Sequence, residues 1–371
     1  MHKPPVVILS GVRWDFLWQR HQTLATLFAG AGYPTVFVET TGLANPRLTG
    51  TTLRRVFDRI RRSGGAGEKQ SPERDLTLYA PLTAPPTYGA FRWSNAKLLL
   101  PRIISDLRKI AGPRPVVVAY PPTRTTLGLI SGLDPRVVLY DCSDDYQRFP
   151  GAPKDIGETE RELLLRADLV SCTSAPLLES ARSIRPDAFL SPPAVDYERF
   201  AVLQGPCAEI NTVCFFGHVS PERIDVDVLR TIAGAGFEVR LLGGIERDLI
   251  EMTGVDYRGE VSHAGLPSAL AGVDAFLLPY KVNALTRSIS PAKTYECLAT
   301  GKPVVAAHLP AMLDLAEYVY LAQKKEDYVA VLRDLQHLES EEKRRARIEL
   351  ARENSWDTRF RELEEALWRH L

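Results

Sequence analysis

The sequence predicts an α/β chain of two doubly wound domains, each built on its own parallel sheet. Three observations carry that expectation. Short β-branched, apolar runs alternate with helical stretches along most of the 371 residues. The runs are apolar nearly throughout instead of alternating with polar residues, as in parallel strands covered on both faces. The alternation also breaks once, at LSPPAVDYERFAVLQGPC (190–207), where paired prolines and lost periodicity mark a linker, and then restarts.

In chain order, PVVILS (5–10) opens the first series. A helical pattern follows through WQRHQTLATLFAGAG (18–32), then a second strand, PTVFVE (34–39). Segment 42–95, with RRSGGAGEKQSPERD inside it, is rich in Gly, Pro and Arg and is expected to be a mobile excursion outside the core. PVVVAY (115–120), RVVLYD (136–141) and LVSCTS (169–174) complete the first set of strands. TVCFFG (212–217), EVRLLG (238–243), AFLLP (275–279) and PVVAA (303–307) form the second. The chain closes on NSWDTRFRELEEALWRHL, where Trp356, Phe360, Leu363 and Leu367 share one helical face.

Composition narrows the function classes. With 45% hydrophobic and 25% charged residues, the chain reads as a soluble globular protein, and no run approaches the ~20 apolar residues of a membrane helix. The opening MHKPPVVILSGV lacks a signal-peptide pattern. Cys142, Cys172, Cys207, Cys214 and Cys297 are scattered without metal-ligand spacing, and their odd number suits a reducing cytoplasm. A net charge of zero hides an asymmetry. Residues 1–130 hold 18 Lys and Arg against 7 Asp and Glu, so that part is +11 and the remainder −11. Basic residues concentrate in RRVFDRIRR (54–62) and KLLLPRIISDLRKI (97–110), interleaved with apolar ones, which points to an anionic membrane surface or a phosphate-bearing substrate. No nucleic-acid motif accompanies them, so nucleic acid is not expected as a partner.

One stretch, SPAKTYECLATGKPVV (290–305), joins a helix pattern to a buried strand and carries charge at its start. Ser290 reads as an N-cap, Pro291 as the first helical residue, and Gly301 with Pro303 as the stop. Lys293 and Glu296 then fall one turn apart on one face. They are either a solvated ion pair or part of a ligand site at the end of the 275–279 strand, where doubly wound sheets bind ligands.

Taken together, several passages resemble retaining, family-4-like glycosyltransferases of the GT-B fold, and among them those of teichuronic-acid and capsular polysaccharide synthesis. These are RWDFLWQRHQTLATLFAGAGYPTVFVE (13–39), VLYDCSDDYQRFPG (138–151), ETERELLLRADLVSCTS (158–174), SPPAVDYERF (191–200), the 290–305 stretch and the Trp-containing last helix. Their order and spacing carry the likeness, which spans most of the chain except about 42–95. The resemblance implies two Rossmann-like doubly wound domains facing a cleft. Residues 1–195 would bind the acceptor and 208–355 the nucleotide-sugar donor, with the helix 356–371 crossing back to the N-terminal domain.

The resemblance also implies roles. Glu296 would accept hydrogen bonds from the ribose hydroxyls of a nucleotide sugar, as an ionised carboxylate can. The helix start at Ser290, Pro291 and Ala292 would face the diphosphate, and Lys293 would neutralise it as it leaves. Arg223, in FFGHVSPERID, resembles the cation that grips the same phosphates. Gly259 and Val261, in YRGEVSHAGLP, match the loop whose backbone reads the base. Gly11, after the first strand, would let the backbone approach the donor. No metal or other cofactor is expected.

The pattern has departures. The family's second donor-site acid would fall at 288, which is Ser288. No histidine before position 200 sits at a strand end comparable to the family's. His218 and His263 read as loop histidines and His21 as structural. Asp141, Asp144 and Asp145 occupy a strand end and are the catalytic candidates, without an assigned base or nucleophile. The expected activity is metal-independent transfer of a hexose-like unit to a glycan or lipid-linked acceptor, in the cytoplasm or at the inner membrane face. A nucleotide-sugar-binding or scaffold protein without turnover, and a natural-product glycosyltransferase, fit the same residues.

Overall fold

A computed structural model describes residues 3–15, 17–39, 69–70, 75–81, 93, 95–205, 209–245 and 254–371. The chain divides into two compact units: residues 1–173, 177–191 and 362–371, and residues 174–176 and 192–361.

The first unit holds strands β1 (Val6–Leu9), β2 (Thr35–Val38), β3 (Lys69–Gln70), β4 (Leu76–Tyr79), β5 (Val116–Ala119), β6 (Val137–Cys142), β7 (Leu169–Cys172) and β8 (Phe189–Leu190). They form one sheet in the order β3-β4-β2-β1-β5-β6-β7-β8. Every described pairing is parallel except β3 with β4. Helices α1 (Arg20–Gly30), α2 (Leu100–Ala111), α3 (Arg124–Leu133), α4 (Ile156–Arg166) and α5 (Ala175–Arg182) supply the connections. All four residues of β1, β2 and β5 are buried, so the near-continuous apolar runs mark strands covered on both faces. Near the C-terminus, Glu364 accepts from Lys3 at 2.8 Å and from Tyr33 at 2.7 Å.

Two sequence expectations change here. Leu76–Tyr79, inside the segment read as an excursion, is a buried core strand paired with β2 from Thr35↔Leu76 to Val38↔Tyr79. Four residues between punctuating neighbours are too few to show a period. The rest of 42–95, including all of 54–62, lies outside the described residues apart from 69–70, 75, 80–81, 93 and 95. In 97–110 the apolar side chains are largely spent on the fold. Ile103 and Leu107 are buried, Leu99 and Leu100 pack partly against the core, and Leu98 is exposed beside Lys97 and Arg102.

The second unit holds β9 (Thr212–Phe216), β10 (Glu238–Leu242), β11 (Val255–Tyr257), β12 (Ala275–Leu278), β13 (Val304–Ala307) and β14 (Tyr320–Ala322), paired in parallel in the order β11-β10-β9-β12-β13-β14. Its helices are α6 (Tyr197–Ala201), α7 (Val226–Gly234), α8 (Leu266–Ala269), α9 (Thr294–Ala299), α10 (Pro310–Leu313), α11 (Lys325–Leu338), α12 (Glu341–Glu353) and α13 (Trp356–Trp368), whose last turns count with the first unit. The passage read as a linker is partly built into this unit. Val195 bridges to Ser355, and Val195 and Phe200 are fully buried in the core that also holds Tyr295, Cys297 and Leu298 of α9.

The end of α9 is fixed firmly. Gly301 takes a positive φ of 72° and donates to the Leu298 carbonyl at 2.9 Å, a helix C-cap as its sequence position requires. The fully buried Arg347 of α12 donates from Nε to the Gly301 carbonyl at 3.0 Å, and its guanidinium forks onto Glu339. A Cβ on Gly301 would meet Arg344 and Ile348 at 3.0 Å, so α12 seats directly on that turn.

Candidate functional site

The carboxyl ends of β9, β10, β11 and β12 are neighbours in the second sheet, and glycines let their loops touch. Gly217 follows β9 with φ 125°, and Gly243 follows β10 with φ 126°. A Cβ on Gly243 would stand 2.3 Å from the Gly217 carbonyl oxygen, so only glycine fits. The Gly243 N–H donates to the Gly259 carbonyl at 2.7 Å, which ties the β11 loop to the β10 loop. Gly259, itself at φ 76°, and the partly buried Val261 therefore stand beside these strand ends.

Arg223 lies on the turn between β9 and α7, half-buried. Its loop is sewn to the one after β12. Ile224 bridges Tyr280, Lys281 N–H donates to the Arg223 carbonyl at 2.8 Å, and Asn283 Nδ2 donates to the Glu222 carbonyl at 2.9 Å.

Lys293 projects into this group. Its Nζ donates to Tyr280 Oη at 3.0 Å and sits 5.0 Å from the Phe215 ring centroid. A Cβ on Gly217 would meet Lys293 Cε and Nζ at 2.9 Å. The ammonium thus crosses the bare backbone of Gly217, held by aromatic faces. Glu296, one turn along, faces another way: its Oε1 is 3.8 Å from His263 Nε2. Among the described residues Lys293 and Glu296 do not pair with each other, so the simple surface ion pair is not what this helix builds.

The helix begins later than its sequence suggests. Lys293 is the N-cap residue and Thr294 the first helical one, because Pro291 opens a turn in which Thr294 N–H donates to the Pro291 carbonyl at 3.0 Å. Ser290 is therefore not the cap, and Ser290, Pro291 and Ala292 are the approach to the helix instead of its first turn. Pro291 is buried, Ser290 half-buried and Ala292 exposed. Any phosphate contact at this end falls to side chains and turn backbone more than to a helix terminus. The register of Lys293 and Glu296 is unaffected. Thr294, Tyr295, Cys297 and Leu298 are buried and the two charged residues stay at the rim.

Part of this geometry falls in a stretch that matches a known family. Residues 223–365, which contain Arg223, Gly259, Val261, His263, Lys293 and Glu296, match the family described as Glycosyl transferase-like. The chain is similar to sucrose-phosphate synthase of Thermosynechococcus elongatus, at TM-score 0.66 and 15% identity over 99% of this chain and 98% of that one. It is also similar to Anabaena HepE solved with UDP and glucose, at TM-score 0.69 and 12% identity over 99% of both chains.

The chain has the GT-B fold of glycosyltransferases.

TuaH of Bacillus subtilis (strain 168), assigned as a teichuronic acid biosynthesis glycosyltransferase, is 24% identical across 61% of this chain. The match spans 65% of TuaH's own length. The sequence resemblance thus led to the right fold.

Within this GT-B chain the first-unit candidates divide. Asp141 is fully buried, not displayed. Arg20 Nε donates to its Oδ2 at 2.6 Å, Ser171 Oγ donates to its Oδ1 at 2.6 Å, and Arg20 Nη2 reaches Ser191 Oγ at 2.7 Å. Both carboxylate oxygens are committed, so Asp141 anchors α1 to β6 and is corrected from catalytic candidate to structural ion pair. Asp144 and Asp145 are half-buried in the loop beyond β6, with Asp145 3.8 Å from Arg148 Nε. Among the described residues no cluster of three or more His, Cys, Asp or Glu could hold a metal ion. A Cβ on Gly11 would meet nothing closer than 3.7 Å, so the protein's own packing does not demand glycine there.

Three residues stand where the sequence did not show them. His21 does reach a strand end: its Nδ1 lies 2.8 Å from Ser10 Oγ, just past β1, and its ring stacks on Tyr120 at 3.5 Å. Burial, with Arg20 adding to it against Asp141, pushes its pKa down to about 3, so it is neutral. Tyr280, immediately after the 275–279 strand, was available as a strand-end signal. His263 sits in the very loop expected to read the base.

Proposed function

We propose that this chain is a glycosyltransferase that takes a hexose-like unit from a nucleotide sugar and passes it to a glycan or lipid-linked acceptor during cell-surface polysaccharide synthesis. The donor binds at the strand ends of the second unit, and the first unit takes the acceptor. The observation that carries this reading is the gathering of Lys293, Arg223, Gly259 and Glu296, all within the matched region, beside Gly217 at the carboxyl ends of neighbouring strands. Glu296 accepts the ribose hydroxyls, while Gly259 and Val261 face the base. Lys293, held by Tyr280, and Arg223 neutralise the diphosphate as the glycosidic bond to it breaks. Stabilising the leaving group lets the acceptor attack from the same face, with retention and without a metal. HepE, solved with UDP and glucose, and TuaH, assigned to teichuronic acid, lend this reading its substrate classes. Asp144 and Asp145 remain the acidic residues nearest an acceptor role. The protein works in the cytoplasm, at the inner face of the membrane where a lipid-linked acceptor would be.

Nucleotide release tests this. The full chain, given UDP-glucose, GDP-mannose or ADP-glucose, is expected to release nucleoside diphosphate slowly from one of them, faster with acceptor, and equally in EDTA. Binding without release from any donor would favour a binding protein without turnover. Loss of release in EDTA, restored by a divalent metal, would overturn the metal-free mechanism.

A further inference from the structure

We infer that His263 is a positioning residue that holds Glu296 in its ribose-reading pose, and that Arg199, backed by Asp196, sets which ring nitrogen carries the proton. This rests on the reading of Glu296 given above and adds the residues behind it. Four side chains from three segments of the second unit stand in line. Asp196 Oδ2 lies 2.9 Å from Arg199 Nε. Arg199 Nη1 reaches His263 Nδ1, and His263 Nε2 lies 3.8 Å from Glu296 Oε1. Side-chain exposure falls along the line from 43% at Asp196 to 20% at Glu296, so the carboxylate end is the sheltered one.

The direction of this line follows from donor chemistry. A guanidinium has five N–H donors and no acceptor. A contact between Arg199 and His263 Nδ1 is therefore a hydrogen bond only when Nδ1 offers its lone pair. In the neutral ring the proton then sits on Nε2, the nitrogen that faces Glu296. Arg199 donates to His263, and the His263 Nε2–H is the group nearest Glu296 Oε1, at 3.8 Å, longer than a hydrogen bond. With Oε1 turned to the imidazole, Oε2 is left to meet a vicinal diol, and the carboxylate plane is set by a ring that cannot rotate freely. Among the described residues Glu296 makes no other ion pair or side-chain hydrogen bond.

The backbone beneath is stiff enough for the task. Helix α6, which carries Arg199, buries Phe200 completely in the core shared with α9. Gln204 Nε2 donates to the Ala299 carbonyl at 2.9 Å, at the end of the helix that carries Glu296. Ser262 caps the short turn that begins at His263, its Oγ accepting from Gly265 N–H at 3.2 Å. All three segments are thus fixed within one unit, so the line does not depend on domain closure.

The readout is discrimination between a ribonucleotide and its 2′-deoxy counterpart, which a merely structural histidine would not change. UDP, GDP and ADP, each paired with its 2′-deoxy analogue, are titrated calorimetrically into the full chain, and the tightest pair is used. Wild type is expected to favour the ribonucleotide by about tenfold or more, and Glu296→Ala to abolish that preference. His263→Ala should lower the preference at least about threefold with the deoxynucleotide affinity unchanged. His263→Gln, whose amide N–H reaches the same side, should restore most of it, and Arg199→Met should lower it part-way. A full wild-type preference in His263→Ala, with Glu296→Ala abolishing it, overturns the positioning role alone. A preference that survives Glu296→Ala overturns the reading of Glu296 itself. Should His263→Ala fail to fold, the Gln and Met variants decide: both at the alanine-like extreme, or both unchanged, contradicts the inference.

Discussion

Each unit carries an arginine, a carboxylate and a histidine at the carboxyl ends of its strands, and the two sets are finished differently. In the first unit, Arg20 and Asp141 are 8% and 0% exposed, every carboxylate oxygen has a donor, and His21 lies under Tyr120. In the second, Arg199, His263 and Glu296 are 34%, 22% and 20% exposed, and among the described residues the carboxylate's one ion-pair approach is to His263 at 3.8 Å. The difference separates a buried pair whose hydrogen-bonding positions are filled from a partly exposed set, the one proposed above to meet a ligand. Residue types at strand ends do not distinguish these roles; the number of unclaimed hydrogen-bonding positions does.

The comparison can be broken most forcefully at Asp141. Replacing it with alanine strands a buried guanidinium, which costs about 3–5 kcal/mol. Urea unfolding of Asp141→Ala should show that loss, whereas a well-folded Asp141→Ala chain with impaired turnover would return this residue to the catalytic candidates. A smaller effect comes from acid. His21 has a folded pKa of about 3 against a model-peptide 6.5, so between those values the unfolded chain takes up a proton that the folded chain refuses. Its contribution is full above about pH 6.5 and declines as pH falls, by up to about 1.4 kcal/mol per pH unit. His21→Gln should flatten the pH dependence of stability over that window, and an unchanged slope would contradict the sealed environment. The smallest effect concerns the basic residues on α2 and just before it. Exposed Lys97, Arg102 and Lys109 are expected to contribute about 1 kcal/mol each to binding phosphatidylglycerol vesicles at low salt. Arg108 is excluded, since it donates to the Gly132 carbonyl that ends α3. The triple glutamine variant should no longer sediment with vesicles; equal sedimentation would remove α2 from any docking surface. Among the described residues no helix is long and apolar enough to cross a membrane.

The strands with long apolar runs were legible because burial on both faces writes a local signal: every one of the nine sequence-read strands lies where the sequence puts it, with ends moved by a residue or two. β4 was hidden because Leu76–Tyr79 is four residues between a positive-φ Asp75 and Pro81. The start of α9 shifted because Pro291 fits a turn as well as a first helical turn, and only the tertiary packing chooses. Spacing alone put Lys293 and Glu296 one turn apart at the start of one helix. Their partners were not legible, because Tyr280, His263 and Arg199 reach them across the sheet or from the linker passage, which no local pattern encodes. Asp141 was misassigned for the same reason: its partner Arg20 lies 121 residues away. Local periodicity reveals elements, and long-range pairing decides which charged residues are already satisfied.

The central claim is that the strand ends of the second unit bind a nucleotide through Glu296, and calorimetric titration of nucleoside diphosphates into Glu296→Ala tests it most directly. Wild type should bind one of UDP, GDP or ADP. The variant should keep its unfolding midpoint and lose about 1.5–3 kcal/mol of binding, one to two decades in Kd. An unchanged Kd in a folded Glu296→Ala chain would contradict the account.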